Sequence, residues 1–249
     1  MKAAVIVAME KEEAVLRRAL GGAAELVRCG NGSDVELVCS GIGKVNAARC
    51  ATELILGSRP GCIVSTGVAG AMDERLRTGD LVIAAECAFH DIWLGDDEGW
   101  MTERFPSDGA LLDKALKAAA VWESSDSCSS EKQPRRGRRA FCGLISSGDQ
   151  FYLGPEEDAR IRSLLPDVLA CDMESAAIAQ VCRHYGVPFI SMRIISDVHH
   201  SSEQQEDSYR SFWAKTDTGV GSDGSDGKSD GESAADAFSF LREFLSALE

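Results

Sequence analysis

Apolar runs of strand length alternate with segments of helical periodicity through most of this 249-residue chain. The strand-like runs are residues 2–8, 35–39, 62–66, 80–85, 141–145 and 189–195, and the helical segments include 9–20, 44–56 and 173–185. Alternation of this kind favours a largely parallel sheet covered by helices on both faces. The sequence therefore predicts an α/β fold, a three-layer αβα sandwich around a mixed, largely parallel twisted sheet, with residues 1–249 forming a single domain.

The charge balance of the chain excludes two classes of partner. It carries 40 acidic against 26 basic side chains, a formal net charge of -14, which repels phosphate backbones and anionic lipid. No apolar run of 18 residues is present, and residues 1–8 are typical of a first strand rather than a secretory signal. We therefore expect no nucleic-acid partner and no membrane partner.

The cysteines indicate a reducing compartment. There are nine, an odd number, and they form neither a C-x-x-C pair nor a zinc-like spacing with histidine. This pattern predicts reduced thiols in a cytoplasmic protein that has no metal site.

Three segments stand apart from the alternating pattern. Residues 124–139 are polar with a basic cluster, which predicts a surface connection between a helix and a strand. Residues 215–233 repeat Gly, Ser and Asp, a composition typical of a mobile insertion. Residues 234–248 return to apolar helical spacing and predict a closing helix that docks on the core.

Two acidic residues lie where an α/β sheet binds its ligands. Glu174 opens the helical segment 173–185, and Asp197 ends the strand-like run that begins at residue 189. Because carboxyl ends of strands and starts of the following helices line the ligand crevice, both carboxylates are expected to face one small molecule. Taken alone, Asp197 also fits a helix N-cap, and Glu174 fits a first-turn residue favoured by the helix dipole.

Six short segments, in order along about four fifths of the chain, resemble one family. They are 8–13 (AMEKEE), 40–48 (SGIGKVNAA), 66–70 (TGVAG), 147–151 (SGDQF), 172–174 (DME) and 193–197 (RIISD). The pattern resembles the nucleoside phosphorylase/hydrolase superfamily and, within it, the bacterial 5′-methylthioadenosine/S-adenosylhomocysteine nucleosidases. The resemblance implies a nucleoside phosphorylase-like fold, adenine nucleoside thioethers as small-molecule partners, and no cofactor.

The resemblance assigns the chemistry to a few side chains. Cleaving a bond between ribose and purine needs an acid at the purine, a carboxylate near the sugar and a held water. Asp197 would be the acid at purine N7 and would pair with the 6-amino group, with Ser196 also in the substrate site. Glu12 would activate the water together with Arg193. Because Glu12 lies in the first turn of a helix, the helix dipole is expected to lower its pKa.

Other matching positions would bind the sugar and the base. Glu174 would accept hydrogen bonds from the ribose hydroxyls, with Met173 beside the sugar, although a Met at a helix start is also typical of core packing. Phe151 would stack on adenine and Tyr152 would offer backbone hydrogen bonds to its edge, although an aromatic at a strand exit is also typical of a core.

Residues 67–70 fit a tight turn in which Ala69 and Gly70 approach the ligand closely. Val68 replaces a serine that is often found there in the nucleosidases.

The remaining matches concern the 5′ substituent. Ile42, Met9 and Tyr209 match positions that form an apolar pocket for an alkylthio group, and Leu94 falls where a neighbouring subunit contributes to that pocket. The resemblance therefore implies a homodimer.

Four functions are compatible with this sequence. The leading interpretation is hydrolysis of 5′-methylthioadenosine and S-adenosylhomocysteine to adenine and the 5-thioribosyl product. A 6-amino-6-deoxyfutalosine hydrolase would share the same carboxylates. A purine nucleoside phosphorylase would replace water with phosphate, which a carboxylate at Glu12 would repel. A nucleoside-binding sensor would keep the fold without turnover.

Overall fold

Strands of the described residues form one mixed sheet. The computed structural model describes residues 2–20, 26–28, 34–125, 137–151, 154–198, 202–217 and 237–248. In these ranges the strands are β1 (Ala3–Val7), β2 (Leu26–Arg28), β3 (Asp34–Cys39), β4 (Cys62–Ala71), β5 (Leu81–Phe89), β6 (Arg104–Pro106), β7 (Ala140–Ser147), β8 (Val168–Asp172) and β9 (Phe189–Val198). Their order is β2-β3-β1-β4-β8-β7-β5-β6, with β9 paired to both β4 and β5.

Helices cover both faces of the sheet. They are α1 (Glu10–Leu20), α2 (Lys44–Gly57), α3 (Gly109–Ser125), α4 (Pro155–Leu164), α5 (Ser175–Tyr185), α6 (Ser202–Asp217) and α7 (Phe240–Ser246). One apolar core packs α1, α3, α6 and α7 on the sheet, and a second packs α2 and α5 on the opposite face. The predicted α/β fold with a mixed sheet between helices is confirmed.

The first strand shows how the sequence builds both cores. Ala3, Val5 and Val7 point into the core under α1, whereas Ala4 and Ile6 point into the core under α2. Side chains alternate across a strand, so a strand covered on both faces must be apolar at every position. All five side chains are buried, which explains the uninterrupted apolar run.

Five strands close into a ring. Strand β4 pairs in parallel with β9, and β9 pairs in antiparallel fashion with β5. Strand β5 pairs with β7, β7 with β8, and β8 returns to the end of β4 through Gly70 opposite Cys171 and Ala71 opposite Ala170. The carboxyl end of β4 is therefore held between β8 and β9.

One local prediction was wrong. Residues 67–70 do not form a tight turn, because β4 continues through them to Ala71. The register of β4 against β9 shifts between Ala69 and Gly70, so a strand irregularity, and not a chain reversal, brings this backbone to the end of the sheet. Helix α5 ends at Tyr185, the last residue of the predicted helical segment 173–185, and Gly186 follows it in a left-handed conformation.

The C-terminal part of the chain is described only in pieces. Helix α6 ends at Asp217, so most of the predicted insertion at 215–233 lies outside the described residues. Helix α7 buries Phe240, Leu241, Phe244 and Leu245. Of the predicted connection at 124–139, α3 includes Ser125, and 126–136 lie outside the described residues. Within the described ranges, no helix combines the length and apolar character needed to cross a membrane.

Candidate active site

A pocket opens at the carboxyl ends of β1, β4, β8 and β9 and at the starts of α1 and α5. Ligand crevices of α/β sheets lie at this edge. The predicted site residues that line it are Met9, Glu12, Ile42, Ala69, Gly70, Phe151, Met173, Glu174, Ser196 and Asp197. Residues from six separate segments of the chain thus converge on one cavity.

Glu12 is fixed on the pocket wall by backbone amides. One carboxylate oxygen accepts hydrogen bonds from the N–H groups of Ala8 and Met9, at 3.0 and 2.9 Å, and the other accepts from Val68 at 2.9 Å. The first two bonds satisfy amides at the start of α1, so Glu12 also caps its own helix. The third bond ties α1 to β4.

The expected direction of the Glu12 pKa was wrong. Its side chain is buried, and loss of hydration raises the pKa above the ordinary value, despite the opposing charge of Arg193 and the three amide hydrogen bonds. Burial between β1 and β4 outweighs the helix dipole. A raised pKa makes the ionised Glu12 a stronger proton acceptor, which suits a general base.

Gly67 leaves room for two charged side chains. Its φ is +143°, and a Cβ there would lie 2.5 Å from Glu12 Oε1 and 2.6 Å from Arg193 Nη1. Any side chain at this position would separate or displace both groups. The glycine that the sequence placed in a turn instead lets a carboxylate and a guanidinium approach the β4 backbone.

Glu174 lies at the N-terminal boundary of α5 but does not cap it. Its Oε1 accepts a 2.9 Å hydrogen bond from the Gly43 N–H, and its Oε2 lies 3.6 Å from the Arg193 guanidinium. Burial, together with the nearby charge of Asp172, raises the pKa of Glu174 to about 7, although Arg193 opposes the shift. Its side chain therefore contacts the residue before α2 and Arg193 of β9, and not the amides of its own helix.

Arg193 does not line the pocket. It is buried beneath it, where its guanidinium lies 2.8 Å from Asp172 and donates to the Thr66 carbonyl and to the Ser65 and Ser175 hydroxyls. Burying a cation requires such partners, because an unpaired charge in a dry interior is strongly unfavourable. Arg193 thus lies behind the pocket wall, with its guanidinium 3.6 Å from Glu174.

Asp197 is held at the end of β9, opposite Gly70 of β4. Its Oδ1 accepts a 2.6 Å hydrogen bond from the Ser196 hydroxyl, and its Oδ2 accepts one of 2.9 Å from Gln205 Nε2 on α6. Because β9 continues to Val198 and α6 begins at Ser202, Asp197 is a strand residue and not the N-cap of that helix.

An aromatic and apolar wall faces these carboxylates. The Phe151 and Tyr209 rings meet edge to face at 4.8 Å, and the Tyr209 hydroxyl donates to Met9 Sδ at 3.6 Å. Tyr209 adjoins the pocket through these two neighbours without appearing in its lining, and Ile42 is half exposed at the rim. Tyr152 lies outside the described residues.

Two polar residues of the site were given no role by the sequence. Asp172 accepts hydrogen bonds from the Ser147 and Ser175 hydroxyls and from backbone N–H groups at the start of α5. The sequence did contain a signal for Asp172, because this residue belongs to the segment 172–174 that resembles the family. Gln205 had no such signal, since nothing in residues 202–217 distinguishes it before the helix is docked.

The charges on the pocket wall are all of one sign. Among the described lining residues there are four carboxylates and no Lys, Arg or His; the acids are Glu12, Asp172, Glu174 and Asp197. The described residues contain no group of His, Cys, Asp and Glu suited to hold a metal ion. This wall can accept protons and bind hydroxyl or amino groups, and it disfavours an anion.

A family model described as the phosphorylase superfamily matches residues 2–220. The chain therefore belongs to the phosphorylase superfamily.

More similar relatives define its place within that superfamily. The chain is 37% identical over 227 residues to the 5′-methylthioadenosine/S-adenosylhomocysteine nucleosidase of Geobacillus kaustophilus, covering 85% of this chain and 90% of the relative. It also resembles the solved nucleosidase of Neisseria meningitidis in complex with methylthio-immucillin-A, with a TM-score of 0.77, 31% identity and 99% of each chain covered. The comparison with the solved nucleosidase of Colwellia psychrerythraea in complex with adenine gives a TM-score of 0.75 and 29% identity, covering 99% of this chain and 95% of that one. The chain thus belongs to the 5′-methylthioadenosine/S-adenosylhomocysteine nucleosidase family, which confirms the resemblance drawn from six segments.

Proposed function

We propose that this protein hydrolyses the N-ribosidic bond of 5′-methylthioadenosine and S-adenosylhomocysteine, releasing adenine and the 5-thioribosyl product. The observation that carries this proposal is the convergence of Glu12, Glu174 and Asp197 on one pocket whose described lining residues include no cation. The adenine complex of the Colwellia relative supports the choice of base.

Each carboxylate has a distinct task in the proposed reaction. Asp197 delivers a proton to purine N7, so that the base departs as neutral adenine. The ionised Glu174 accepts hydrogen bonds from the ribose hydroxyls and places negative charge beside the sugar as it becomes cationic. Glu12 takes a proton from the water whose oxygen forms the new bond to C1′. Arg193, paired with Asp172, positions Glu174 from below.

The electrostatics favour water over phosphate as the nucleophile. A phosphorylase must hold an anion against the sugar, and Glu12 lies on the wall of this pocket with a buried carboxylate. Two like charges in a space of low dielectric repel each other by several kcal/mol in order of magnitude. We therefore place the protein among the hydrolases of its superfamily.

Adenine release in buffer without phosphate tests the reaction. We expect full activity there, with a reducing sugar and no sugar 1-phosphate among the products. A strict phosphate requirement would make the protein a phosphorylase, and nucleoside binding without turnover would make it a sensor. Values of kcat/KM for the methylthio, homocysteinyl and 6-amino-6-deoxyfutalosine nucleosides test the substrate; a preference for the last would contradict the assignment.

We also propose that the protein works as a cytoplasmic homodimer in methionine salvage. Support for the dimer comes from apolar side chains near the pocket rim, since Ile42, Val45, Trp93 and Leu94 are between 49% and 79% exposed. An ion pair of 2.6 Å between Lys44 and Asp91 joins the two segments that carry these apolar side chains. Light scattering of the wild type should give twice the mass of one chain, and Val45→Glu should lower this mass toward that of a monomer. A wild-type monomer at assay concentration would contradict the proposed dimer.

A further inference from the structure

One side chain of the pocket makes contacts that the proposed reaction does not use. Gln205 projects from α6 and is 3% exposed. Its Nε2 donates to Asp197 Oδ2 at 2.9 Å and to the Phe151 carbonyl oxygen at 3.4 Å. A single amide NH₂ group therefore bridges the carboxylate assigned to the purine and the backbone beside the ring assigned to stacking.

The two acceptors define the chemistry that fits between them. The carboxamide of Gln205 is planar and presents two N–H donors from one nitrogen. The exocyclic amine of an aminopurine has the same form, a planar nitrogen with two N–H donors. A base that stacks on Phe151 and pairs with Asp197 would direct its amine at these same two oxygens. Both groups cannot occupy that place at once.

We propose that Gln205 is an affinity-determining residue, whose carboxamide occupies the amine subsite formed by Asp197 and the Phe151 carbonyl and must be displaced by the aminopurine. This inference rests on the proposed function. The pocket can take the base only in molecules in which Gln205 has left the amine subsite. The apparent affinity for adenine and for the nucleoside is therefore the intrinsic affinity multiplied by the fraction of such molecules.

The displacement requires a side-chain rotation and not a movement of α6. The helix is anchored independently by Tyr209, which bonds to Met9, and by Lys11, whose ammonium lies 4.3 Å from the Tyr209 ring centre and 4.4 Å from that of Trp213. These contacts connect α6 to the start of α1 and do not involve Gln205. Substitution of Gln205 should therefore leave the helix docked.

Calorimetric titration with adenine, combined with steady-state kinetics, tests the inference. Gln205→Met keeps the length of the side chain without its N–H donors, and Gln205→Ala removes it; Asp207→Ala, at an exposed position of α6, is the control. Removing a competing hydrogen bond to a charged group should lower the Kd for adenine and the KM for the nucleoside by about fivefold to tenfold in both variants. The control should match the wild type.

A loss of kcat without tighter adenine binding would overturn the inference. If Gln205 only orients Asp197, both variants should lose kcat by tenfold or more with unchanged or weaker adenine binding. Thermal unfolding of each variant identifies any loss of fold, and Gln205→Met preserves most of the buried volume. A wild type that binds adenine but does not cleave nucleosides would contradict the proposed function, while the titrations would still decide the role of Gln205.

Discussion

The guanidinium of Arg193 and the carboxylate of Asp172 form an ion pair of 2.8 Å in which each side chain is only 1% exposed. The same guanidinium lies 3.6 Å from Glu174, and the same carboxylate bonds to the start of α5. Asp172, which forms no part of the proposed bond-breaking step, therefore connects the start of α5 to Arg193, and Arg193 in turn contacts the acid proposed to bind the sugar.

Asp172→Asn should destabilise the protein strongly. The change keeps the shape of the side chain but leaves Arg193 buried without its nearest counter-ion, a loss of about 3–5 kcal/mol. Urea unfolding measures this loss as a decrease in the free energy of unfolding. Asp167→Asn is the matched control, because Asp167 pairs with Arg104 at the surface, where about 1 kcal/mol or less is expected. Equal effects of the two changes would contradict a structural role for the buried pair.

Gly67→Ala should abolish activity through crowding. The new methyl group would lie 2.5 Å from Glu12 Oε1 and 2.6 Å from Arg193 Nη1, so one of these groups must move. Gly79→Ala is the control, since Gly79 also has a positive φ, of +94°, but no atom lies within 4 Å of the added position. Backbone strain alone should cost about 1–2 kcal/mol at Gly79 and leave kcat unchanged. Comparable activity losses in both would argue against crowding.

Glu12→Gln should reduce kcat by about 10²-fold or more, because the amide cannot accept the proton of the attacking water. The amide oxygen can still accept backbone hydrogen bonds on one side, so the fold should persist. Glu10→Gln, two residues earlier and exposed on the same helix, should have no effect. Initial rates of adenine release decide this, and unchanged hydrolysis in Glu12→Gln would remove Glu12 from the mechanism.

Glu174 should make stability depend on pH. Its pKa rises from 4.5 to about 7 on folding, mainly because burial disfavours its charge. Between these values the folded state keeps a proton that the unfolded chain has lost, so this group destabilises the fold as pH rises through the window. Glu174→Gln lacks the effect and should gain about 3 kcal/mol relative to the wild type between pH 4 and pH 8. Parallel unfolding curves for both proteins across this range would contradict the shift.

Activity should follow the same titration. Because the proposed role of Glu174, which includes placing negative charge beside the cationic sugar, needs the ionised carboxylate, kcat/KM should rise through about pH 7, the pKa of this group. The rising limb should disappear in Glu174→Gln, whose remaining activity should be low throughout. A limb that persists unchanged in the variant would assign it to another group.

Asp197→Asn should separate catalysis from binding. Asparagine fills the same space and still contacts a bound base, but it cannot deliver a proton to N7, so kcat should fall by about 10²–10⁴-fold. Asp207→Asn on the exposed side of α6 is the control. Single-turnover kinetics together with adenine titration distinguish the two properties, and retained turnover in Asp197→Asn would refute its role as the acid.

The sequence was sufficient for the features that depend on local pattern. Strands buried on both faces, such as β1, are apolar at every position, and Asp197 lies near the end of β9, which pairs in parallel with β4 as expected of an α/β sheet. The antiparallel return of β8 to Gly70 and of β5 to β9 could not be predicted, because such pairings join distant segments without any local signal.

The same limit applied within the site. Burial of Glu12 depends on how β1 and β4 pack around it, so the direction of its pKa shift followed from the assembled structure and not from its place in a helix. Gln205 acquires its contact with Asp197 only when α6 docks. The sequence could point to pocket residues that belong to a short recognisable segment. It could not predict the burial and the contacts that these residues acquire in the fold.

The hydrogen bond from Gly43 to Glu174 joins positions 131 residues apart, and that from Val68 to Glu12 crosses 56. No short fragment of the chain can therefore assemble this pocket by itself, since its lining residues run from Ala8 to Gln205. During synthesis, catalysis must wait until β9 has emerged and inserted beside β4. A protease cut that releases the segment carrying Glu12 or the segment carrying Asp197 should silence the enzyme even if the remainder stays folded. Turnover is thus a sensitive report of whether the whole architecture is intact.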